Sequence, residues 1–242
     1  MYFYEIHLHT AESSRCGRSS ARDMIRDYHD RGFAGVAVTD HFVNGNSYSA
    51  RWCLENASWR ERMDVFLRGY REAEKAGKEF GIDVFFGWEY SYLGTGEDYL
   101  ILGTEPEQLY TVFEDCDRMT IEEICDRVHL AGGIIIRAHP CRIAGYMTVY
   151  CIDRPGLDID AVEAYNGGNA KPEYNENGVK YALKEHKPMT AGSDTHHIDK
   201  NASCCIAFDT RVKDSKDLCS RIKNGSARLC VHGEFVNTDG WQ

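Results

Sequence analysis

Tyr2-Phe3-Tyr4-Glu5-Ile6-His7-Leu8-His9 opens the chain with alternation: Tyr4, Ile6 and Leu8 are apolar, while Glu5, His7 and His9 are ionisable. A period of two predicts a β-strand, and side chains two apart share a face, so the two imidazoles point the same way. Such a pair can chelate one metal ion from a rigid element. Its meaning depends on whether the rest of the chain supplies further ligands at similar positions.

It does, because other apolar runs also end in metal-binding residue types. Gly35-Val36-Ala37-Val38-Thr39 leads to Asp40-His41, and the run from 82 to 87 leads to Trp88-Glu89. Gly133-Ile134-Ile135-Ile136-Arg137 leads to Ala138-His139-Pro140, and Ala161-Val162-Glu163-Ala164-Tyr165 leads to Asn166-Gly167. Pro188-Met189-Thr190-Ala191-Gly192 leads to Ser193-Asp194-Thr195-His196. Short β-branched and aromatic runs closed by Gly or Pro read as buried strands. Between them, residues 20–32 and 58–81 read as helices, and Thr120-Ile121-Glu122-Glu123 is a capping box for a helix ending near Gly132-Gly133.

Strand alternating with helix predicts a mostly parallel sheet covered by helices. When such a sheet closes into a barrel, reactive residues collect at the C-terminal ends of its strands. His7, His9, His41, Glu89, His139, Asp194 and His196 all fall there, which predicts a multinuclear metal site. His29, His129 and His186 fall in helical segments and, with His232, are read as lying outside it. His196 and His197 point in different directions, so at most one of them is a direct ligand.

Composition narrows the class. The chain has 242 residues, 43% of them hydrophobic, enough for one sizeable core, and it reads as a single domain over 1–242. Its motifs lie within 2–196; residues 204–208 and 227–231 read as closing strands with a charged helix between them. No secretory segment and no run approaching ~18 apolar residues is visible, which predicts a cytoplasmic protein without a membrane span. The ten cysteines show no CxxC spacing and read as reduced thiols. No Walker loop, nucleophile elbow or dinucleotide fingerprint occurs. With 38 acidic against 28 basic residues, a net charge of −10, the chain is a poor protein-only binder of nucleic acid.

The ordered set His7-Leu8-His9-Thr10, Thr39-Asp40-His41, Gly87-Trp88-Glu89, Ala138-His139-Pro140 and Gly192-Ser193-Asp194-Thr195-His196 resembles the PHP (polymerase and histidinol phosphatase) superfamily. The resemblance spans roughly 2–196. It implies an α/β fold, a distorted (β/α)7 barrel, holding three divalent metal ions that hydrolyse phosphoesters. One ion would be held by His7, His9, Glu89 and Asp194. A second would share Glu89 and be held by His139, and a third would be held by His41 and His196.

Two departures bear on the metal. Many members follow the HxHT stretch with a serine and then an aspartate or histidine ligand. Here Ala11-Glu12-Ser13-Ser14-Arg15-Cys16-Gly17 offers Glu12 as first replacement and Cys16 as second. Many members also carry a histidine on the strand after the glutamate, where this chain has Asp98, either a ligand or a turn residue. Carboxylates at both positions favour manganese or iron, whereas a thiolate favours zinc.

The chemistry implied is hydrolysis by a water that two divalent ions make hydroxide-like near neutral pH, with a third ion on the phosphoryl oxygens. Arg15, Arg18, Arg137 and Arg142 are candidate phosphate clamps, Arg137 first among them. Asp40 is expected to orient the His41 imidazole, with a leaving-group proton role as the alternative. Asn166 is expected to hydrogen-bond substrate or a bound water. Loops 42–56, with Asn44, Asn46, Tyr48, Arg51 and Trp52, and 141–155, with Tyr146 and Tyr150, are expected to select the substrate. The expected function is a phosphoesterase for a small phosphorylated metabolite or nucleotide. A non-phosphate, amidohydrolase-like hydrolase and a degenerate metal- and ligand-binding domain are the alternatives.

Overall fold

The computed structural model describes residues 1–92, 95–145, 147, 154–200 and 202–237; Tyr146 and Tyr150 of the second expected specificity loop lie outside the described residues. The apolar runs form β1 (Tyr2–Glu5), β2 (Gly35–Val38), β3 (Asp83–Tyr92), β4 (Glu97–Leu102), β5 (Ile134–Arg137), β6 (Ala161–Asn166) and β7 (Met189–Gly192), followed by β8 (Cys204–Phe208), β9 (Arg228–Val231) and β10 (Glu234–Phe235). They make one sheet in the order β10-β9-β8-β1-β2-β3-β4-β5-β6-β7.

The sheet curls until its end strand β7 comes back to β1. The backbone just past β7 runs beside the backbone just past β1: His9 N–H donates to Thr195 O at 3.0 Å and Thr195 N–H to His7 O at 3.3 Å. This meeting makes a distorted barrel of β1 to β7. The expected C-terminal strands lie beside β1. β8 pairs antiparallel with β1 and β9 antiparallel with β8, forming a strip attached to the barrel while β7 meets the β1 extension directly.

The expectation of parallel pairing holds for β1–β2, β2–β3, β5–β6 and β6–β7. It fails at β4, which is antiparallel to both β3 and β5. The link from Tyr92 to Glu97 is too short for the dozen or more residues that a parallel crossover needs, so the chain turns straight back.

Six helices cover the described barrel: α1 (Ala21–Asp30), α2 (Trp59–Phe66), α3 (Arg68–Phe80), α4 (Ile121–Leu130), α5 (Pro172–Lys184) and α6 (Ser215–Lys223). Ser20 caps α1 by accepting from Asp23 N–H, and Thr120 with Glu123 forms the expected capping box of α4. The single helix expected over 58–81 is two, broken at Leu67. Each helix presents one apolar stripe to the sheet. Ala21, Met24, Ile25 and Tyr28 of α1 pack with Leu8, Val36 and Val38, all essentially fully buried. Burying a side chain of this size contributes ~1.5–3 kcal/mol, so these contacts hold the ligand-bearing strand ends in place. No helix among the described residues is long and apolar enough to cross a membrane. The nine described cysteines are free thiols.

Candidate metal centre

At one end of the barrel, the backbone leaving each strand delivers an ionisable side chain to a common point. His7 and His9 follow β1, His41 follows β2, Glu89 lies within β3, His139 follows β5, and Asp194 and His196 follow β7. Four overlapping sets have ligand atoms mutually within 4.8 Å: His9, His41 and His196; His7, His9 and Glu89; His7, His139 and Asp194; and Glu89, Asp98 and His139. Glu89 is shared between two sets, as are His7, His9 and His139. His7 Nε2 lies 3.3 Å from Glu89 Oε1 and 3.4 Å from Asp194 Oδ1. His9 Nε2 lies 3.5 Å from Glu89 Oε2 and 3.3 Å from Asp194 Oδ1. His139 Nε2 is 3.2 Å from Glu89 Oε1 and 3.8 Å from Asp98 Oδ2.

These residues fit divalent cations on the evidence of atoms left without hydrogen-bond partners. His7 Nε2, His9 Nε2, His41 Nδ1 and Glu89 Oε2 are buried and make no hydrogen bond. His41 Nδ1 and Glu89 Oε2 lie only 2.6 Å apart without hydrogen-bond geometry. Unpartnered buried donors and acceptors are costly, and here they converge in sets rich in nitrogen and carboxylate oxygen.

The opposite nitrogen of three of these rings is already engaged. His7 Nδ1 is 2.9 Å from Glu163 Oε1, His9 Nδ1 is 3.3 Å from Ser14 Oγ, and His196 Nδ1 is 3.0 Å from the Asp194 carbonyl oxygen. Each contact directs Nε2 into the cluster, as metal-binding histidines require. Glu163 was not among the sequence candidates. Its signal was present, a lone carboxylate inside the apolar run of β6, but only the folded chain shows what it serves. It also accepts from His139 N–H at 3.0 Å and Asn166 Nδ2 at 2.8 Å. Gly192 lets it approach, since a Cβ there would lie 2.6 Å from both Glu163 Oε1 and His7 Cβ.

The charges are strongly coupled. Burial opposes protonation of His7, but Glu163, Asp194 and Glu89 outweigh it and hold its pKa well above the usual range. Burial and the neighbouring His41 and His196 push His9 well below it. Burial raises Glu89 and Asp194, yet the histidines around Glu89, and His7 with Arg142 beside Asp194, bring both well below the carboxylate range. Asp98 moves the other way, raised by burial and by Glu89. His139 and Asp194 sit at φ of 27° and 51°, in the left-handed region that non-glycine residues adopt uncommonly.

Asp98 reaches the cluster because β4 runs backwards: the N-terminal end of an antiparallel strand lies where its neighbours have C-terminal ends. Ser91, its cross-strand partner, donates to Asp98 Oδ1 at 2.5 Å. Glu12 does not reach it. Both its oxygens accept from Ala21 N–H, at 3.1 and 2.9 Å, at the start of α1. Cys16 is the residue of that stretch that lines the cavity; burial raises its thiol pKa, but the neighbouring His196 and His41 imidazoles bring it down to about 6.

Two polar assignments, Arg137 and Asp40, are revised. Arg137 points away from the centre. Its guanidinium donates to Glu97 Oε1 at 2.5 Å and lies over the Tyr99 ring. The strand ends at Arg137 and the chain turns at His139, so two residues that would share a face in a continuing strand diverge. The arginine at the cavity is Arg142, which donates to Asp194 Oδ2 at 2.5 Å, Asn166 Oδ1 at 2.6 Å and Asn169 Oδ1 at 3.0 Å. Arg15 lies over the Trp52 ring and Arg18 lines an adjoining cavity. Asp40 does not hydrogen-bond the His41 imidazole. Its carboxyl, raised to about 6 by burial, accepts from Thr10 N–H, Thr10 Oγ and Ser14 Oγ at 2.6–2.7 Å. Ser14 in turn contacts the His9 ring, so Asp40 supports His9 through Ser14. Asn166 hydrogen-bonds Glu163 and Arg142 and lies 3.5 Å from His7 Nδ1.

The cluster opens into a cavity of about 670 Å³ lined by Asn44, Asn46, Trp52, Tyr92, Arg142 and Cys16 together with His41, Glu89, Asp98, His139, Asp194 and His196 of the cluster. Arg51 of the expected specificity loop faces elsewhere, with its guanidinium 2.9 Å from Asp117.

The comparisons agree with this geometry. The PHP domain model matches residues 5–188, and the PHP-associated model matches 172–227. No match was found among curated proteins. Among solved structures, a protein of Bifidobacterium adolescentis ATCC 15703, provisionally described as a metal-dependent phosphoesterase, superposes with a TM-score of 0.56 at 16% identity, over 98% of each chain. A two-domain protein of Bacteroides vulgatus ATCC 8482, containing a predicted PHP-like metal-dependent phosphoesterase, gives 0.69 at 12% identity, over 98% of this chain and 66% of its own. An amidohydrolase of Chromobacterium violaceum, with bound sulfate and no metal, gives 0.53 at 15% identity, over 80% of this chain and 87% of its own. With the PHP model matching most of its length and the ligand sets converging at the barrel mouth, this chain belongs to the PHP domain family.

Proposed function

We propose that this protein is a metal-dependent phosphoesterase acting on a small phosphorylated metabolite or nucleotide at a trinuclear centre. The observation that carries the proposal is the overlap of four three-residue ligand sets, which provides for several adjacent cations instead of one. His7, His9, Glu89 and Asp194 would hold one ion; His139 and Asp98, sharing Glu89, would hold a second; His41 and His196 would hold a third. Manganese, iron and zinc all suit such donors. Bound there, such ions would supply Lewis acidity and lower the pKa of a bound water, chemistry suited to phosphoester hydrolysis.

The chain's own residues supply position. Glu163 fixes His7, Ser14 with Asp40 fixes His9, and the carbonyl of Asp194 fixes His196. Arg142, tied to Asp194 and Asn166 at the cavity wall, is the cation best placed to contact an anionic substrate. Asn44, Asn46 and Trp52 offer hydrogen bonds and an exposed aromatic face for the rest of it. Phosphoryl transfer asks mainly for such positioning and positive charge, and a set of bound cations would offset the acidity of the chain locally. A cytoplasmic setting, in which the cysteines stay reduced, belongs to the same reading.

The amidohydrolase neighbour favours one second reading, hydrolysis of an amide or amidine in the same barrel. The test measures inorganic phosphate and ammonia release by manganese-loaded protein across phosphomonoesters, nucleotides, short oligonucleotides and small amides, with His9→Ala alongside. Phosphate release lost in the variant supports the proposal. Ammonia release alone, or no release from metal-loaded protein, overturns it.

A further inference from the structure

We propose that Asp117, which lies outside the residues that line the cavity, is a positioning residue: through Arg51 and Arg62 it fixes the loop wall that holds the part of the substrate beyond the reacting phosphate. The inference rests on the phosphoesterase reading above and deepens it, because it assigns how that site selects among phosphoesters.

The wall is the loop between β2 and α2, which brings Asn44, Asn46 and Trp52 to the cavity. Little apolar burial holds its outer part. Trp52 and Tyr48 are exposed, and between 47 and 56 Ala50 is the one apolar side chain that is fully buried. Toward the cavity, the wall is tied to the loop after β1: Tyr48 N–H donates to Ser13 O at 3.0 Å, and the Arg15 guanidinium lies 4.5 Å over the Trp52 ring. Away from the cavity, its ties converge on one carboxylate. Asp117 Oδ2 accepts from Arg51 Nε at 3.2 Å, Arg51 Nη2 at 2.9 Å and Arg62 Nη1 at 3.1 Å, and Arg62 Nε donates to Ser49 O at 2.8 Å. Asp117 sits in the short 3₁₀ turn Cys116–Arg118, where Cys116 O accepts from the Tyr90 hydroxyl at 3.3 Å. Tyr90 follows Glu89 on β3, and Arg51 precedes Trp52 in the wall. A run of contacts therefore connects the strand that carries the shared ligand to the aromatic face of the cavity.

Stability does not account for this arrangement. Arg62 and Asp117 are 2% and 6% exposed, and Arg62 Nη2 and Asp117 Oδ1 are buried without a hydrogen bond. A buried ion pair repays its desolvation only when its remaining donors and acceptors are satisfied, and apolar residues of the same volume often hold a fold as well or better. What the pair supplies and apolar packing does not is direction. Three guanidinium donors on one oxygen set where Arg51, and with it Trp52, lies relative to β3.

The experiment compares manganese-loaded wild type, Asp117→Asn, Arg51→Ala and Asp160→Asn by amide hydrogen exchange and by phosphate release. The substrates are methyl phosphate, which carries almost nothing beyond the phosphate, and the larger phosphomonoester that wild type turns over best. In Asp117→Asn the amides of Cys53 and Leu54, which donate to Ala50 O, should exchange faster while those of β3 keep their protection. Its kcat/KM for the larger ester should fall by roughly 10–100-fold, the scale of an ångström-sized misplacement, and the loss should lie in KM with kcat unchanged. Methyl phosphate turnover and bound metal should not change. Arg51→Ala frees the wall but leaves Asp117 paired with Arg62, so it should give the same pattern if Asp117→Asn folds poorly. Asp160→Asn, a loss at the start of β5 where Asp160 accepts from Ile135 N–H at 2.9 Å, controls for lowered stability and should move neither readout. Unchanged exchange in the folded variants, faster exchange with unchanged KM, or equal losses on both esters overturns the proposal. A metal-loaded wild type that releases no phosphate removes the phosphoesterase reading, and exchange alone then decides whether Asp117 holds the wall.

Discussion

Replacing Glu163 by Gln tests how the centre is held without touching a proposed ligand. Glu163 is fully buried and receives three donors: the His7 ring at 2.9 Å, His139 N–H at 3.0 Å and Asn166 Nδ2 at 2.8 Å. A carboxylate accepts at both oxygens, whereas an amide accepts at one and donates at the other. If the Gln oxygen faces His7, its NH₂ meets two further donors. If it faces His139 and Asn166, its NH₂ meets His7 Nδ1 and forces the proton onto Nε2, the nitrogen aimed at the metal. Either arrangement loses at least one hydrogen bond to a charged acceptor, ~1.5–3 kcal/mol. Tenfold in an equilibrium is ~1.4 kcal/mol, so this converts to roughly 10–100-fold in metal affinity, in line with the loss typical for partners of metal-binding histidines. Competition against a chromogenic chelator measures it, and circular dichroism checks that the variant is folded. Affinity within about twofold of wild type, in folded protein, would refute the argument that Glu163 sets the His7 proton.

Two further outcomes are expected. Arg137→Met should leave metal affinity unchanged per folded molecule yet lower stability by ~1.5–3 kcal/mol, because buried Glu97 loses one charged hydrogen bond while Arg154 and Tyr99 still hold it; denaturant unfolding beside metal titration checks it, and lost affinity at unchanged stability would restore Arg137 to the site. Asp160 is held below its ordinary pKa: burial raises it, but Lys223, Ile135 N–H and His129 outweigh that. Its contribution is therefore present above the unfolded carboxylate pKa of ~3.9 and fades as pH falls through the lower folded value. Asp160→Asn should then cost ~1.5–3 kcal/mol at pH 7. The gap to wild type should narrow toward pH 3, and an unchanged gap in denaturant melts would contradict this.

The sequence alone determined the strand ends and what they carry. Alternation over 2–9 and the short apolar runs specify strands by local sterics and burial, and a histidine or carboxylate just past such a run is visible without any tertiary knowledge. That suffices for the parallel ladders, for α1 and the α4 capping box, and for naming the seven residues that the fold gathers at one end of the barrel. Tertiary structure decided the rest, because periodicity encodes a strand and its faces but neither its direction nor its distant partners. The reversal of β4 brings Asp98 to the barrel mouth. The end of β5 turns Arg137 outward to Glu97 while Arg142 takes its expected place. In the loop after β1, the start of α1 claims Glu12 and leaves Cys16 beside His41 and His196. Glu163 looks from sequence like an anomaly in an apolar strand; a buried carboxylate must be paired, and its partner His7 lies 156 residues away.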